Sequence, residues 1–386
     1  MQVVKYQSKL ITAIAAFTLS NSFIINFFNY NAMKSIGSIV SSYSLYIMTI
    51  IALYLVFKEK KYWKSTLIVA FAMYVMVIYE RHIDLYSTVH EFESDFLIHG
   101  ICGFVIGLTI INIKLFVRYI AILSAIYSLV LIVEPITHSI LHMDEMLTGY
   151  LMTGLTINLI LSYHTVFERN RFIFVLAAVS TVIITLFTAR GCGLALFSAW
   201  SFFYFWDKKR KGQTIKKTLL KFICLCSLLY IGFIFLIDYI LESGIELEAG
   251  SLLEKLSNGY VATSNGRDEV WELGIELLNK APLNGIGLGA DRTISEDFFV
   301  HNILLELSIN FGIPLALIIL ISYWWITLRA IKVNLFSITS CLIFAQIFKT
   351  WIQLLFSSSY LHTMLPLMFI LGLAMHSLVN KKYMYE

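Results

Sequence analysis

Long apolar runs separated by short charged stretches make up most of the chain. They fall at 10–28, 38–57, 65–79, 96–113, 115–133, 147–163, 172–189, 191–206, 218–240, 313–328, 335–356 and 365–380, and predict about twelve membrane-spanning helices. The runs are continuous and lack the period-2 alternation of an outer-membrane barrel, so helices are the expected spanning element. Lys114 and Arg190-Gly191 are all that divide 96–133 and 172–206 into pairs. The first run has no small-residue cleavage site after it and reads as a helix rather than a signal peptide.

Charge then orients the spans. With Lys5 and Lys9 in the cytoplasm, KEKKYWK (58–64), Lys114 with Arg118, ERNR (168–171), DKKRKGQTIKK (207–217), RAIK (329–332) and NKK (380–382) all fall on the same side. That is the positive-inside pattern, with both termini cytoplasmic. The opposite side receives 80–95, 134–146 and one large loop over 241–300, which holds eleven Asp and Glu against four Lys and Arg. Three regions follow: helices 1 to 9 over 1–240, the extracytoplasmic loop over 241–312, and helices 10 to 12 with the C-terminus over 313–386. Within the loop, EVWELGIELL (269–278) has the spacing of an amphipathic helix at the membrane face, APLNGIGLGAD (281–291) reads as a glycine-rich turn, and TISE (293–296) as a capping box opening a helix that carries His301.

Composition agrees: the 386 residues are 58% hydrophobic and only 14% charged, with a mean hydropathy of +0.77, the profile of a polytopic membrane protein. The net charge of +4 sits beside spans and implies no nucleic acid. Cys102, Cys192, Cys224, Cys226 and Cys341 lie in apolar segments without metal-ligand spacing and read as packing residues. No Walker, HExxH, GxSxG or DxD motif occurs, so neither a metal, a cofactor nor a soluble nucleotide donor is expected.

Three polar positions stand out on the extracytoplasmic side. Arg190 sits in a very short outer turn, either snorkelling to the interface or serving function against the positive-inside preference. Arg267 has Trp271 one helical turn on; it pairs with Asp268 or a nearby glutamate, or offers its planar fork to phosphate. His301, followed by Asn302, is either a satisfied core histidine or a general base, since an imidazole titrates near pH ~6.5. Gly285, Gly287 and Gly289 serve loop flexibility or bring backbone N–H groups to an anion. Lys349, between Gln346 and Gln353, lines a cavity or snorkels outward, and His99 has the same two readings. Tyr86, Phe92 and Trp271 stack on sugars or form an interfacial belt.

The order of these motifs resembles the bacterial O-antigen ligase and polymerase family. The likeness rests on Arg190-Gly191, then Gly266-Arg267 with Trp271, then Pro282 with Gly285, Gly287 and Gly289, and His301-Asn302 with Gly312. It covers roughly 185–320. The resemblance implies a GT-C-like helical fold in the bacterial inner (plasma) membrane and metal-independent, inverting glycosyl transfer on its outer face. The implied donor is an undecaprenyl-diphosphate-linked oligosaccharide, and the implied partners are membrane lipids and a flippase and chain-length regulator of the same pathway. By analogy His301 is the general base and Arg190 and Arg267 bind the diphosphate, with Asn302, Lys349, Gly287 and Gly289 as further substrate-binding positions. Leu315 stands where ligases often have a small or hydroxyl residue, and with the shorter chain it favours a repeat-unit polymerase over a ligase acting on lipid A core.

Two rival classes remain at this stage. A lipid-linked oligosaccharide flippase or other transporter would keep its polar residues near mid-membrane. A scaffold would not need Arg190, Arg267 and His301 to converge.

Overall fold

A computed structural model describes residues 2–20, 34–83, 89–110, 112–132, 145–214, 219, 221, 223, 267–294, 300–333, 335–356 and 358–383. Among these residues the chain is helical, without a strand. The described helices are α1 (Gln2–Ser20), α2 (Lys34–Lys58), α3 (Trp63–Ile83), α4 (Val89–Ser94), α5 (Gly100–Thr109), α6 (Ile113–Leu131), α7 (Glu145–Thr165), α8 (Arg171–Phe187), α9 (Arg190–Arg210), α10 (Arg267–Lys280), α11 (Ile303–Val333), α12 (Ile338–Phe356) and α13 (Met364–Tyr383). Every apolar run except the ninth coincides, wholly or in part, with one of them. The ninth, 218–240, and the loop residues 241–266 lie almost entirely outside the described residues, as does Tyr86.

Among the described residues, five helices are long and apolar enough to cross a membrane: Lys60–Ile83, Phe92–Thr109, Ile113–Leu131, Ile303–Val333 and Ile338–Phe356. Their outward rows, such as Leu67, Ile68 and Phe71 on α3 and Leu317, Ile318 and Ile321 on α11, are exposed. Lipid tolerates such rows and water does not. The protein is a multi-pass membrane protein whose described residues are all-helical.

The chain forms two compact units, 1–120 with 264–386, and 121–263. In the first, α5 and α13 run in the same direction at close range. A Cβ on Gly103 would come within 2.2 Å of the Leu365 carbonyl oxygen, one on Gly107 within 2.3 Å of that of Phe369, and one on Gly372 within 2.1 Å of that of Phe104. Small residues let two backbones touch where lipid supplies no hydrophobic drive for association. At the far end of this pair Lys61 donates to Asn380 Oδ1 at 2.9 Å, Asn380 pairs with His376 Nε2 at 2.8 Å, and His376 Nδ1 meets the Leu108 carbonyl at 2.8 Å. In the second unit α8 and α9 are joined by Thr188 and Ala189 alone, and Trp200 Nε1 on α9 donates to Thr181 Oγ1 on α8 at 3.0 Å.

The amphipathic segment 269–278 is helical as expected, within α10. Asp268 and Glu269 in its first turn and Lys280 in its last suit the helix dipole, and Pro282 follows its end. Its apolar side does not simply lie on the membrane. Leu277 joins Ile286, Ala290, Val300 and Ile309 in a small buried core, flanked by Val270, Leu278, Ala281 and Leu305, while Leu273 and Ile275 stay exposed. Gly274 packs on Val300 and Leu305, and Ala281 is followed by a loop that meets residues 309–313, so α10 runs alongside the first part of α11 in the same direction.

α11 is two helices joined at a kink, where Gly312 has φ 76° and ψ 157° and Pro314 follows. The sequence-predicted span starting at 313 matches the second piece. The predicted helix carrying His301 does not form as expected. Thr293 lies within a short 3-10 turn, Ala290–Ile294, and α11 opens only after Asn302. The reason is a better cap. Asn302 Oδ1 accepts from the backbone N–H of Leu304 at 3.0 Å and of Leu305 at 3.3 Å, satisfying donors that a helix start leaves free.

Candidate functional site

Several polar positions lie at one end of the first unit, where α3, α10, α11 and α13 present termini. Tyr79 near the end of α3 donates to the Asn284 carbonyl at 3.0 Å, and Arg81 holds Glu93 of α4 through both oxygens, at 2.8 and 2.7 Å. Phe96, Phe311 and Tyr360 form an aromatic trio with centroids 6.2 to 6.4 Å apart. From here to the Lys61–Asn380 network along α13 is about 25 Å at ~1.5 Å per residue, close to the thickness of a bilayer core.

The glycine loop is packed, not loose. The Ile286 N–H donates to the Ile309 carbonyl at 2.9 Å, the Gly287 N–H to that of Asn310 at 3.4 Å, and the Ile313 N–H to that of Pro282 at 2.9 Å. These bonds replace the helix bonds that the kink at Gly312 breaks. A Cβ at Gly285 would stand 2.0 Å from the Asn310 oxygen, and one at Gly289 2.2 Å from the Phe92 ring. The loop is thus held by backbone contacts to α11, and Phe92 is a packing partner of Gly289 that also lies 5.5 Å below the Arg292 guanidinium.

His301 stands one residue ahead of the Asn302 cap of α11 with φ 49°, in the left-handed region. A histidine there is uncommon and costs about 1 kcal/mol or more, a strain found preferentially at functional sites. Asn302 is committed to the helix cap. Asn302→Ala should lower stability by about 1 kcal/mol, seen as a drop of a few degrees in the melting of the detergent-purified protein, with Asn302→Asp near wild type.

Arg267 is the first residue of α10, whose side-by-side, same-direction packing on α11 brings its starting end to the end that carries His301. Arg190 is the first residue of α9 in the other unit. The structure describes the backbone, and not the side chain, of both arginines. Lys349 lies half-buried on α12, beside buried Gln346 and Thr350, and His99 ends a π-helical turn, Asp95–His99, ahead of α5.

Behind His301 lies a buried polar cluster that the sequence reading passed over. Glu306, on the turn of α11 after His301, is fully buried; it accepts from Ser359 Oγ and, at 3.1 Å, from the Tyr360 N–H, with Arg292 Nη2 at 4.0 Å. Asp291 and Glu80 are also fully buried. Burial pushes the Asp291 carboxyl up, against the Arg292 guanidinium and the backbone N–H groups of Val300 and Asp291, which favour its charged form. Burial also pushes the Tyr360 hydroxyl up, and the carboxylate of Glu306 adds to it, opposed by the hydrogen bond from Asn310 Nδ2 at 2.8 Å. A glutamate inside FVHNILLELSINFG was the available signal, because an acid within an apolar run marks a partner or a function.

The segment holding Arg190, Arg267, the glycine loop and His301 can be compared with known families. Residues 172–320 match the O-antigen ligase family. The match contains every motif on which the sequence resemblance rests. Members of this family are membrane glycosyltransferase-type enzymes, ligases and polymerases, that act on lipid-linked oligosaccharides. No curated protein and no solved structure matches the chain.

Proposed function

We propose that this O-antigen ligase-like protein is a polymerase, joining undecaprenyl-diphosphate-linked oligosaccharide repeat units on the outer face of the bacterial plasma membrane. The observation that carries the reading is His301, held in a strained conformation at the end of the unit to which the start of α10 and Arg267 also come, within the family-matched segment. The opposite end bears Lys58, Lys60, Lys61 and Lys64, which supports a cytoplasmic assignment for it and an extracytoplasmic one for His301.

In this reading His301 takes the proton from the acceptor hydroxyl as its oxygen attacks the anomeric carbon of the donor from the face opposite the diphosphate. The bond from that carbon to the diphosphate oxygen breaks, inverting the centre. Arg267 and Arg190 bind the departing lipid diphosphate, and fixed guanidinium charge near the developing anion is the electrostatic contribution to the rate. Arg190 is assigned on the sequence motif. Gly287 and Gly289 shape the loop that braces α11. Lys349 is a further substrate-binding position, on sequence grounds.

A ligase acting on lipid A core is the second reading, favoured by the description of the matched family. Leu315, after Pro314, favours polymerase. Deleting the gene in its host separates them by the surface polysaccharide that remains. Single-repeat units without a ladder support polymerase, unattached polymer supports ligase, and an unchanged ladder removes both.

A further inference from the structure

We infer that Trp271 is a positioning residue for His301, acting through the Val300 carbonyl. The inference rests on His301 being the base. The indole N–H of Trp271 donates to that carbonyl at 2.9 Å, and Val300 is the residue just before His301. A peptide on either side of a left-handed residue must be held, because an L-residue with φ 49° relaxes towards negative φ when nothing resists it.

Three restraints act here. The Val300 side chain is fully buried against Gly274 and in the core with Leu277 and Ile309. Its carbonyl is fixed by Trp271. On the other side, Asn302 is locked by its own cap to Leu304 and Leu305. Of these, the indole bond is the one that acts directly on the carbonyl of the peptide before His301; it comes from α10, the helix that begins with Arg267, and crosses 29 residues of sequence. One side chain thereby ties the start of α10 to the imidazole-bearing turn. Trp271 is half-buried, and its single donor is already used by protein, so hydrogen bonding to a sugar is not what the indole nitrogen is arranged to do.

The test uses Trp271→Phe, which keeps the aromatic packing and deletes the donor. Full-length protein is reconstituted with lipid-linked repeat units extracted from the deletion strain, and kcat is expressed per donor-binding site, counted by binding of the same radiolabelled lipid. The expected result is a kcat per site lowered about 10- to 100-fold, the effect of misplacing a reacting group by around an ångström, with donor KM unchanged. A merely structural role would reduce the number of binding sites, or prevent insertion in the membrane, while leaving kcat per site at the wild-type value; that result overturns the inference. So does a raised KM with unchanged kcat, which would make Trp271 a donor contact. His301→Asn, run beside it, keeps the two readings apart. If it is inactive while Trp271→Phe turns over normally, the tether fails and the base stands. If it turns over at the wild-type rate, the base assignment itself fails.

Discussion

Gly312→Ala is expected to destabilise the protein by more than about 3 kcal/mol and to remove activity with it. Two costs combine. At φ 76° and ψ 157° the backbone occupies a region that essentially only glycine enters. A Cβ there would also come within 2.3 Å of the Leu283 carbonyl oxygen and 2.9 Å of the Asn284 carbonyl carbon. Those are backbone atoms, and they cannot retreat cheaply. The Ile313 N–H to Pro282 and Ile286 N–H to Ile309 bonds, both 2.9 Å, pin the loop on each side of the clash. Relief would require the glycine loop to leave the kink, exposing the core of Ile286, Ala290 and Val300. The measurement is the amount of folded protein in the membrane and its melting temperature after purification. Gly193→Ala is the control: on α9 the nearest atom to its Cβ would be Thr185 Cγ2, at 3.4 Å, an ordinary contact, so stability near wild type is expected. Equal stability of the two variants would mean that the kink is not held as described.

His301→Asn is expected to lower the transfer rate by about 10²- to 10⁴-fold, the usual contribution of a positioned general base, while donor binding persists. Asparagine is chosen because it tolerates the left-handed region better than alanine, so the φ of 49° and the start of α11 survive the change. The imidazole is what is lost. Melting temperature and donor-binding stoichiometry near wild type, together with a collapsed rate, would locate the defect in chemistry. A fall in binding with the rate per bound donor unchanged would instead make His301 a substrate contact.

Much of this was legible in the sequence, and the misses have physical causes. Apolar runs of spanning length foretold the described helices, because lipid forces each span to satisfy its own backbone. The pattern of Val270, Leu277 and Leu278 foretold α10, since helical period is a local property. The start of α11 was misplaced because Thr293 offered a capping signal and Asn302 offered a stronger one, already adjacent to the apolar run. The glycine loop read as flexible because its partners, Ile309 and Asn310, are remote in sequence. For the same reason nothing local revealed that Gly103 and Gly107 face Leu365 and Phe369, or that Glu306 meets Ser359 and Tyr360. Arg267 and His301 stood out beforehand because basic and titratable groups are scarce in a largely apolar chain.

The most direct measurement is transfer by the purified protein in vesicles, with lipid-linked repeat units from the deletion strain as the sole substrate, serving as both donor and acceptor. The account predicts a ladder of lengthening lipid-linked products from the wild type, and none from His301→Asn in the same assay. Polymer from His301→Asn at the wild-type rate, or transfer by the wild type only when lipid A core is added, would contradict it.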